Sequence, residues 1–138
     1  MIEKKKLQIL TEGENDIIDI TGDVEKFLNN SKITDGVVSI FVSGSTAGLT
    51  TMEYEDGLIK DLKIFFEEIV PHTKKYFHDY SFPRGNGFSH IRASVLGPSL
   101  VIPFESKRLS LGTWQQIVLI DFDIRKRERT IHLDIIGG

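Results

Sequence analysis

The stretch Tyr76–Gly97, YFHDYSFPRGNGFSHIRASVLG, holds two of the four histidines, His78 and His90, the side chains that most readily take up or release a proton near neutral pH. Phe82-Pro83 and Gly85-Asn86-Gly87 lie between them. These residues break regular structure and admit positive φ, so the segment is expected to fold back on itself and let the two imidazoles converge. With Arg84 and Arg92 close by, such a loop suits an anionic ligand; the alternative is an ordinary connecting loop.

A second chemistry-bearing segment, Ser43-Gly44-Ser45-Thr46-Ala47-Gly48-Leu49-Thr50-Thr51, follows an apolar run. Small hydroxylated residues and glycines let a backbone approach a ligand closely and offer donors to phosphate oxygens, although the lysine of a P-loop is missing. A tightly packed turn accounts for the same composition. Glu53, Glu55 and Asp56 come next, as carboxylates able to hold Mg²⁺ or act as acid and base, or simply as first-turn residues of a helix. The single tryptophan, in Thr113-Trp114-Gln115-Gln116, either fills a core or frames a flat ring by stacking and amide bonding.

The elements that must position these groups can be read from hydropathy. Residues from about Glu3 to Thr11 and from Ile17 to Ile20 read as two strands of an opening hairpin around Gly13-Glu14-Asn15. Thr21 to about Asn30 reads as a short helix, and Val37–Val42 as a strand covered on both sides. Leu58, Leu62, Phe65, Phe66 and Ile69 recur at helical spacing up to Pro71, which predicts a helix packed on a sheet. The alternation of Ile91, Ala93 and Val95 predicts a strand from His90 to Leu96. Further strands are expected at Leu100–Ile102, at Ile117–Phe122, and at Ile131–Ile135, the last two forming a closing hairpin whose basic tip carries Arg125, Lys126 and Arg127. His132 falls on the wet face of that hairpin, and His72, after Pro71, in a solvated loop. About eight strands and two helices without βαβ alternation predict a single α+β domain over residues 1–138, a mostly antiparallel sheet or sandwich. Two helices cannot cover every strand that is apolar on both faces, so self-association is expected.

Composition narrows the classes. One domain of 138 residues can bury its own core, and a net charge of −3 speaks against a dedicated nucleic-acid binder. The absence of cysteine removes disulfides and thiolate metal sites, and fits a cytoplasmic protein. The opening MIEKKKLQIL lacks the apolar run of a signal peptide, and no segment is long enough to span a bilayer, so no membrane partner is expected.

Taken together in their order, Ser45-Thr46-Ala47-Gly48-Leu49-Thr50, Gly85-Asn86, His90-Ile91, Ala93-Ser94, Leu96-Gly97, Arg108-Leu109 and Leu111-Gly112-Thr113-Trp114-Gln115 closely resemble the YjbQ family over nearly the whole chain. The family is described as secondary thiamine-phosphate synthases. The resemblance implies an antiparallel α+β fold assembled as a homotrimer, with polar residues near subunit boundaries. It also implies a reaction joining a pyrimidine methyl diphosphate to a thiazole ethyl phosphate with release of pyrophosphate, and no organic cofactor. A site for that reaction must neutralise phosphate charge and hold a flat ring. On this reading Ser45, Thr46, Gly85 and Asn86 bind phosphate, helped by the charge of Arg108, while Trp114 and Gln115 hold the ring. Glu53 or Asp56 binds Mg²⁺ or takes a ring-nitrogen proton, and His78 and His90 transfer protons or, with Glu53 and Asp56, ligate a metal such as Zn²⁺. Two positions depart from the family pattern: Gly44 stands where many members have histidine, and Phe88 where many have an acid. A non-catalytic trimer that binds a phosphorylated metabolite or a metal is the alternative reading.

Overall fold

The chain organises itself around Ile117–Phe122, because consecutive residues there point into two different cores. In the computed structural model, which describes residues 1–138, Ile117 and Leu119 join one apolar cluster, and Val118, Ile120 and Phe122 join another. A strand apolar on both faces must be sandwiched, and this one is.

The elements run in order as β1 (Ile2–Thr11), β2 (Asp16–Asp19), α1 (Thr21–Asn29), β3 (Gly36–Val42), β4 (Ala47–Met52), α2 (Asp56–Ile69), a 3₁₀ turn (Phe77–Tyr80), α3 (Gly87–Leu96), β5 (Ser99–Glu105), β6 (Arg108–Leu109), β7 (Gln116–Asp121) and β8 (Arg127–Gly137). An outer sheet of order β1-β8-β3-β5-β6 faces a smaller sheet of order β2-β7-β4, all pairs antiparallel. The main core, including Val38, Ile40, Leu49, Leu119, Ile131 and Leu133, fills the space between them. Behind the smaller sheet, Phe66 of α2 and Ala93 of α3 close the second core. The fold is α+β, as the residue pattern predicts, with three α-helices instead of two. No helix is long and apolar enough to cross a membrane.

Neither predicted hairpin forms. β1 pairs with β8 from Thr11↔Arg127 outward, and β2 pairs with β7 from Asp16↔Asp121. The two pairs are halves of one long ribbon folded across the corner of the sandwich, so each presumed hairpin turn is a place where a strand changes sheets. The bend needs unusual backbone: Gly13, Glu14 and Asn15 have φ of 78°, 52° and 67°. Side-chain periodicity is identical in a hairpin turn and a corner, which is why the sequence pattern does not separate them.

The stretch from His90 to Leu96 is also not a strand but the body of α3. It buries Gly87, Phe88, Ser89, Arg92 and Ala93, a helical stripe hidden in the sequence because its largest member is an arginine. Its last turn presses on β4, where a Cβ on Gly48 would stand 2.9 Å from the Gly97 carbonyl oxygen and 2.9 Å from the Leu96 side chain. α2 packs less than its periodicity predicts: Phe66 is its one fully buried residue, while Ile64, Phe65 and Ile69 are exposed.

Gly48→Ala is therefore expected to push α3 off the sheet and to cost about 1–3 kcal/mol, the usual penalty of overpacking. Denaturant unfolding checks it: the midpoint should fall with little change in slope.

Candidate functional site

The loop after α2 is folded back by a single carboxylate. Asp79 is buried in the 3₁₀ turn and accepts 2.8 Å hydrogen bonds from the backbone N–H groups of Tyr76 and Gly87. The Tyr76 bond most of all, with the Gly87 bond, outweighs burial and holds the Asp79 pKa below the ordinary carboxylate value. Gly87 is required at the second contact, since a Cβ there would lie 2.8 Å from Asp79 Oδ1. This staple ties the 3₁₀ turn to the start of α3 and brings the two histidines together. The ring centroids of His78 and His90 are 4.4 Å apart, and His78 is also stacked on Phe82 at 4.8 Å.

The floor of the site is the sandwich corner. Asp121 and Asp123 are fully buried at the end of β7, and β8 returns two arginines to them. Arg129 grips Asp121 through Nε and Nη2, both at 2.8 Å, and Arg127 binds Asp123 through Nε at 3.0 Å and Nη2 at 2.6 Å. Thr46 bridges the pairs, donating to Asp123 at 3.0 Å and accepting from Arg129 at 2.6 Å. Burial would raise the Asp123 pKa, but the hydrogen bonds from Arg127, Ile124 N–H and Thr46 win and lower it. Above this floor Phe82, Arg84, Asn86, Asp123, Arg125 and Arg127 line a cleft of 330 Å³. Arg127 is committed to Asp123, whereas Arg84 and Arg125 are exposed and belong to no ion pair.

Two buried polar atoms find no partner here, His78 Nδ1 and Asn86 Oδ1. Native interiors rarely tolerate that without a ligand or ordered water to satisfy the group. Burial first, then the neighbouring His78, lowers the His90 pKa; the opposing pull of Asp123 does not offset them. His90 is thus a neutral proton or hydrogen-bond acceptor at pH 7.

The remaining sequence-predicted residues divide. Asn86 lines the cleft, and Gly85, with φ of 71°, lies between the lining residues Arg84 and Asn86 in sequence. Ser45 is exposed beside the corner, but the Thr46 hydroxyl has its proton and an acceptor site committed to the corner and serves packing rather than phosphate. Glu53, Asp56, Arg108, Trp114 and Gln115 lie at the opposite end of the molecule. β4 runs from Ala47, next to Thr46 of the corner, to Met52, next to Glu53, which puts Thr46 and Glu53 about 20 Å apart at strand rise. At that far end Gln115 Nε2 donates to Thr51 Oγ1 at 2.9 Å, and Trp114 is 73% exposed. Arg108 and Gln115 border a separate cleft of 390 Å³. Glu55 caps α2 by accepting from Gly57 and Leu58 N–H, and Asp56 sits in the first turn. Nowhere do three or more His, Asp or Glu side chains gather as a metal cluster, so Glu53, Asp56, His78 and His90 do not meet within one chain.

Sequence reading missed the corner itself. Its trace is a matched spacing, Asp121-x-Asp123 against Arg127-x-Arg129, in which alternate residues of two successive strands carry opposite charge. The sequence pattern puts Arg92 on a strand flanking the loop, as a cation for an anionic ligand. It is instead 1% exposed, bonded to the Val70 carbonyl, Asn15 Oδ1 and Glu67 Oε2, with Phe88 4.8 Å beneath its guanidinium. Phe88 thus belongs to the mounting of α3, not to the cleft.

A two-sheet α+β domain with a histidine pair beside an arginine-walled cleft is the class of protein this structure defines. A family model described as "UPF0047 protein YjbQ-like" matches residues 5–138. A UPF0047 protein of Archaeoglobus fulgidus is 38% identical over 126 residues, covering 91% of this chain and 96% of that one. UPF0047 protein YugU of Bacillus subtilis is 37% identical over 135 residues, covering 96% and 98%. Among solved structures, a YbjQ-like protein of unknown function from Sulfolobus solfataricus superposes with a TM-score of 0.90 at 30% identity, over 100% of both chains. A hypothetical protein from Aeropyrum pernix reaches 0.91 at 32% identity, over 99% of both. The chain belongs to the YjbQ (UPF0047) family.

Two outcomes are expected. Arg129→Ala leaves the Asp121 carboxylate buried and unpaired and should cost about 3–5 kcal/mol, read by chemical denaturation. His90, with its folded pKa below the ordinary 6.5, binds fewer protons folded than unfolded as pH drops. It contributes nothing to stability well above pH 6.5 and a growing penalty as pH falls from there through the folded value. Thermal midpoints of wild type and His90→Gln, compared between neutral and mildly acidic pH, should show the wild type losing more.

Proposed function

We propose that the protein is a thiamine-phosphate-synthase-like transferase that acts in the arginine-walled cleft. The reaction is attack of a thiazole nitrogen on the methylene carbon of a pyrimidine methyl diphosphate, breaking the carbon–oxygen bond and releasing pyrophosphate. The observation that carries this reading is the conjunction of unpaired Arg84 and Arg125 with Asn86, whose Oδ1 is unsatisfied, around one cleft, beside which His78, its Nδ1 also unsatisfied, stacks on the cleft residue Phe82. Guanidinium groups suit phosphate oxygens, on the substrate and on the departing pyrophosphate. Neutral His90 is placed to accept a proton or hydrogen bond from the pyrimidine.

The residues assigned to the ring, Trp114 and Gln115, are too far along β4 to serve the same cleft. The proposal therefore includes a homotrimer in which the Trp114 end of one subunit completes the histidine cleft of the next. Head-to-tail contacts in a closed ring bring opposite ends together in this way. The exposed Ile64, Phe65 and Ile69 of α2 support such cover. Glu53 and Asp56, exposed and without ion-pair partners, are the carboxylates available to a Mg²⁺ carried in by the diphosphate, where the ion would supply charge neutralisation. A Zn²⁺ site does not fit one chain, which offers no three-ligand cluster.

The test is pyrophosphate release and thiamine phosphate formation by the purified protein, with His90→Ala and Trp114→Ala alongside. Each variant should lose about a hundredfold or more. Mixing the two after subunit exchange should restore activity at about one quarter of the sites, because only a shared site can draw its histidine and its tryptophan from different chains. Saturable binding of pyrophosphate with no turnover would instead select the non-catalytic binding reading. A monomer in solution, or mixed variants that stay dead, would end the shared-site reading.

A further inference from the structure

The opposite side of the molecule carries a basic concavity that the histidine cleft does not use. No element packs over the outer face of the five-stranded sheet. Register fixes what that face displays: Lys6 lies opposite His132, His132 opposite Phe41, and Lys4 opposite Asp134. Lys4, Lys5, Lys6, Phe41, His132 and Asp134 line a dish of 620 Å³. His132 is five residues along β8 from Arg127 and on the other face of the sheet, about 16 Å from the cleft at strand rise.

Three features make this more than a solvated strand. On this face Lys4 pairs with Asp134 at 3.3 Å, and Lys6, opposite His132, belongs to no ion pair; Lys5, opposite the core residue Leu133, falls on the other face by register. The His132 ring is fixed, since Nε2 lies 2.9 Å from Ser43 Oγ, leaving Nδ1 with no protein partner. Phe41 is 43% exposed, and its ring centroid is 6.1 Å from that of His132 at an interplanar angle of 52°, so the two rings form an open corner and not a closed stack. Lys4 and Lys6 are about 7 Å apart along the strand, the width of one phosphate group with its ester oxygen. Asp134 within the dish and Glu128 farther along β8 limit the basic surface. A polynucleotide or a membrane would meet both of those carboxylates; a small dianion at Lys6 and His132 would meet only Asp134, whose charge Lys4 offsets.

We propose that this dish is a second ligand site, for a small phosphate monoester bearing a flat ring. The phosphate is held by Lys6 and His132, and the ring lies against Phe41. Ionic contact with the flexible Lys6 supplies affinity, and the aromatic face supplies discrimination between a ring-bearing ester and free phosphate.

The experiment is a titration of the full chain with phenyl phosphate and, separately, inorganic phosphate, followed through the His132 ring resonances by NMR. Phenyl phosphate is expected to move those resonances with about millimolar affinity or better and to bind more tightly than inorganic phosphate. Lys6→Ala should weaken it by about fivefold or more, Phe41→Ala should reduce it to the level of inorganic phosphate, and Arg84→Ala should leave it unchanged. All three substitutions are at exposed side chains, so folded variants are expected, checked by circular dichroism. His132 resonances that stay still, or a response lost in Arg84→Ala and kept in Lys6→Ala, would overturn the proposal; the latter places the ligand in the cleft. A response equal for phenyl and inorganic phosphate and untouched by Phe41→Ala would remove the ring specificity and with it the ligand class.

Discussion

The charged corner is the constraint on which the rest depends. Asp121, Asp123 and Arg129 are all buried, and charges out of water persist only when paired and hydrogen-bonded. Bidentate geometry from Arg129, the two-donor grip of Arg127 and the bridging Thr46 hydroxyl meet that demand together. Because Asp121 and Asp123 close β7, Arg127 and Arg129 open β8, and Thr46 precedes β4, the network fixes how three strands leave the corner. It also sets the electrostatics of the cleft: the aspartates absorb two arginines, and the cations left over face solvent.

The histidine side of the site has a different logic. Nothing in the sheets holds His78; it is placed by a turn that one carboxylate, Asp79, staples to the first residue of α3. His90 is placed by α3, and α3 is anchored by Arg92, whose guanidinium reaches the end of α2 and the β1–β2 corner at once. The two imidazoles thus meet because two independent buried polar anchors agree. This explains why the surrounding loop can be rich in glycine and still hold a defined arrangement.

Much of this was legible in the residues, and the failures share a cause. Apolar runs gave the strands β3 and β7, although only β7 is covered on both faces, since β3 leaves Val37, Ser39 and Phe41 on the open face of the outer sheet; helical spacing ending at Pro71 gave α2 to within a residue or two. Gly85-Asn86-Gly87 announced the loop that lets the histidines converge. What stayed hidden depended on partners distant in sequence. Whether Gly13-Glu14-Asn15 closes a hairpin or crosses between sheets is decided by Asp123 and Arg125, more than a hundred residues on. Whether Ile91, Ala93 and Val95 line a strand or a helix is decided by a buried Arg92 that hydropathy scores as surface. The separation of Trp114 and Glu53 from the histidines is likewise a matter of which end of β4 each occupies, and local pattern carries no information on ends.

The position of β8 bears on how the chain reaches this state. It is the last strand in sequence, yet it lies between β1 and β3 in the outer sheet. Until it arrives, those two strands have no common partner, and each presents an unpaired edge on which a foreign strand could nucleate. During synthesis the sheet cannot close from the amino end; its middle is filled last, by contacts of the largest sequence separation the chain contains. The basic run Lys4-Lys5-Lys6 on β1 then has a second use, as repulsive charge that guards an open edge while the ribosome finishes the strand that will cover it.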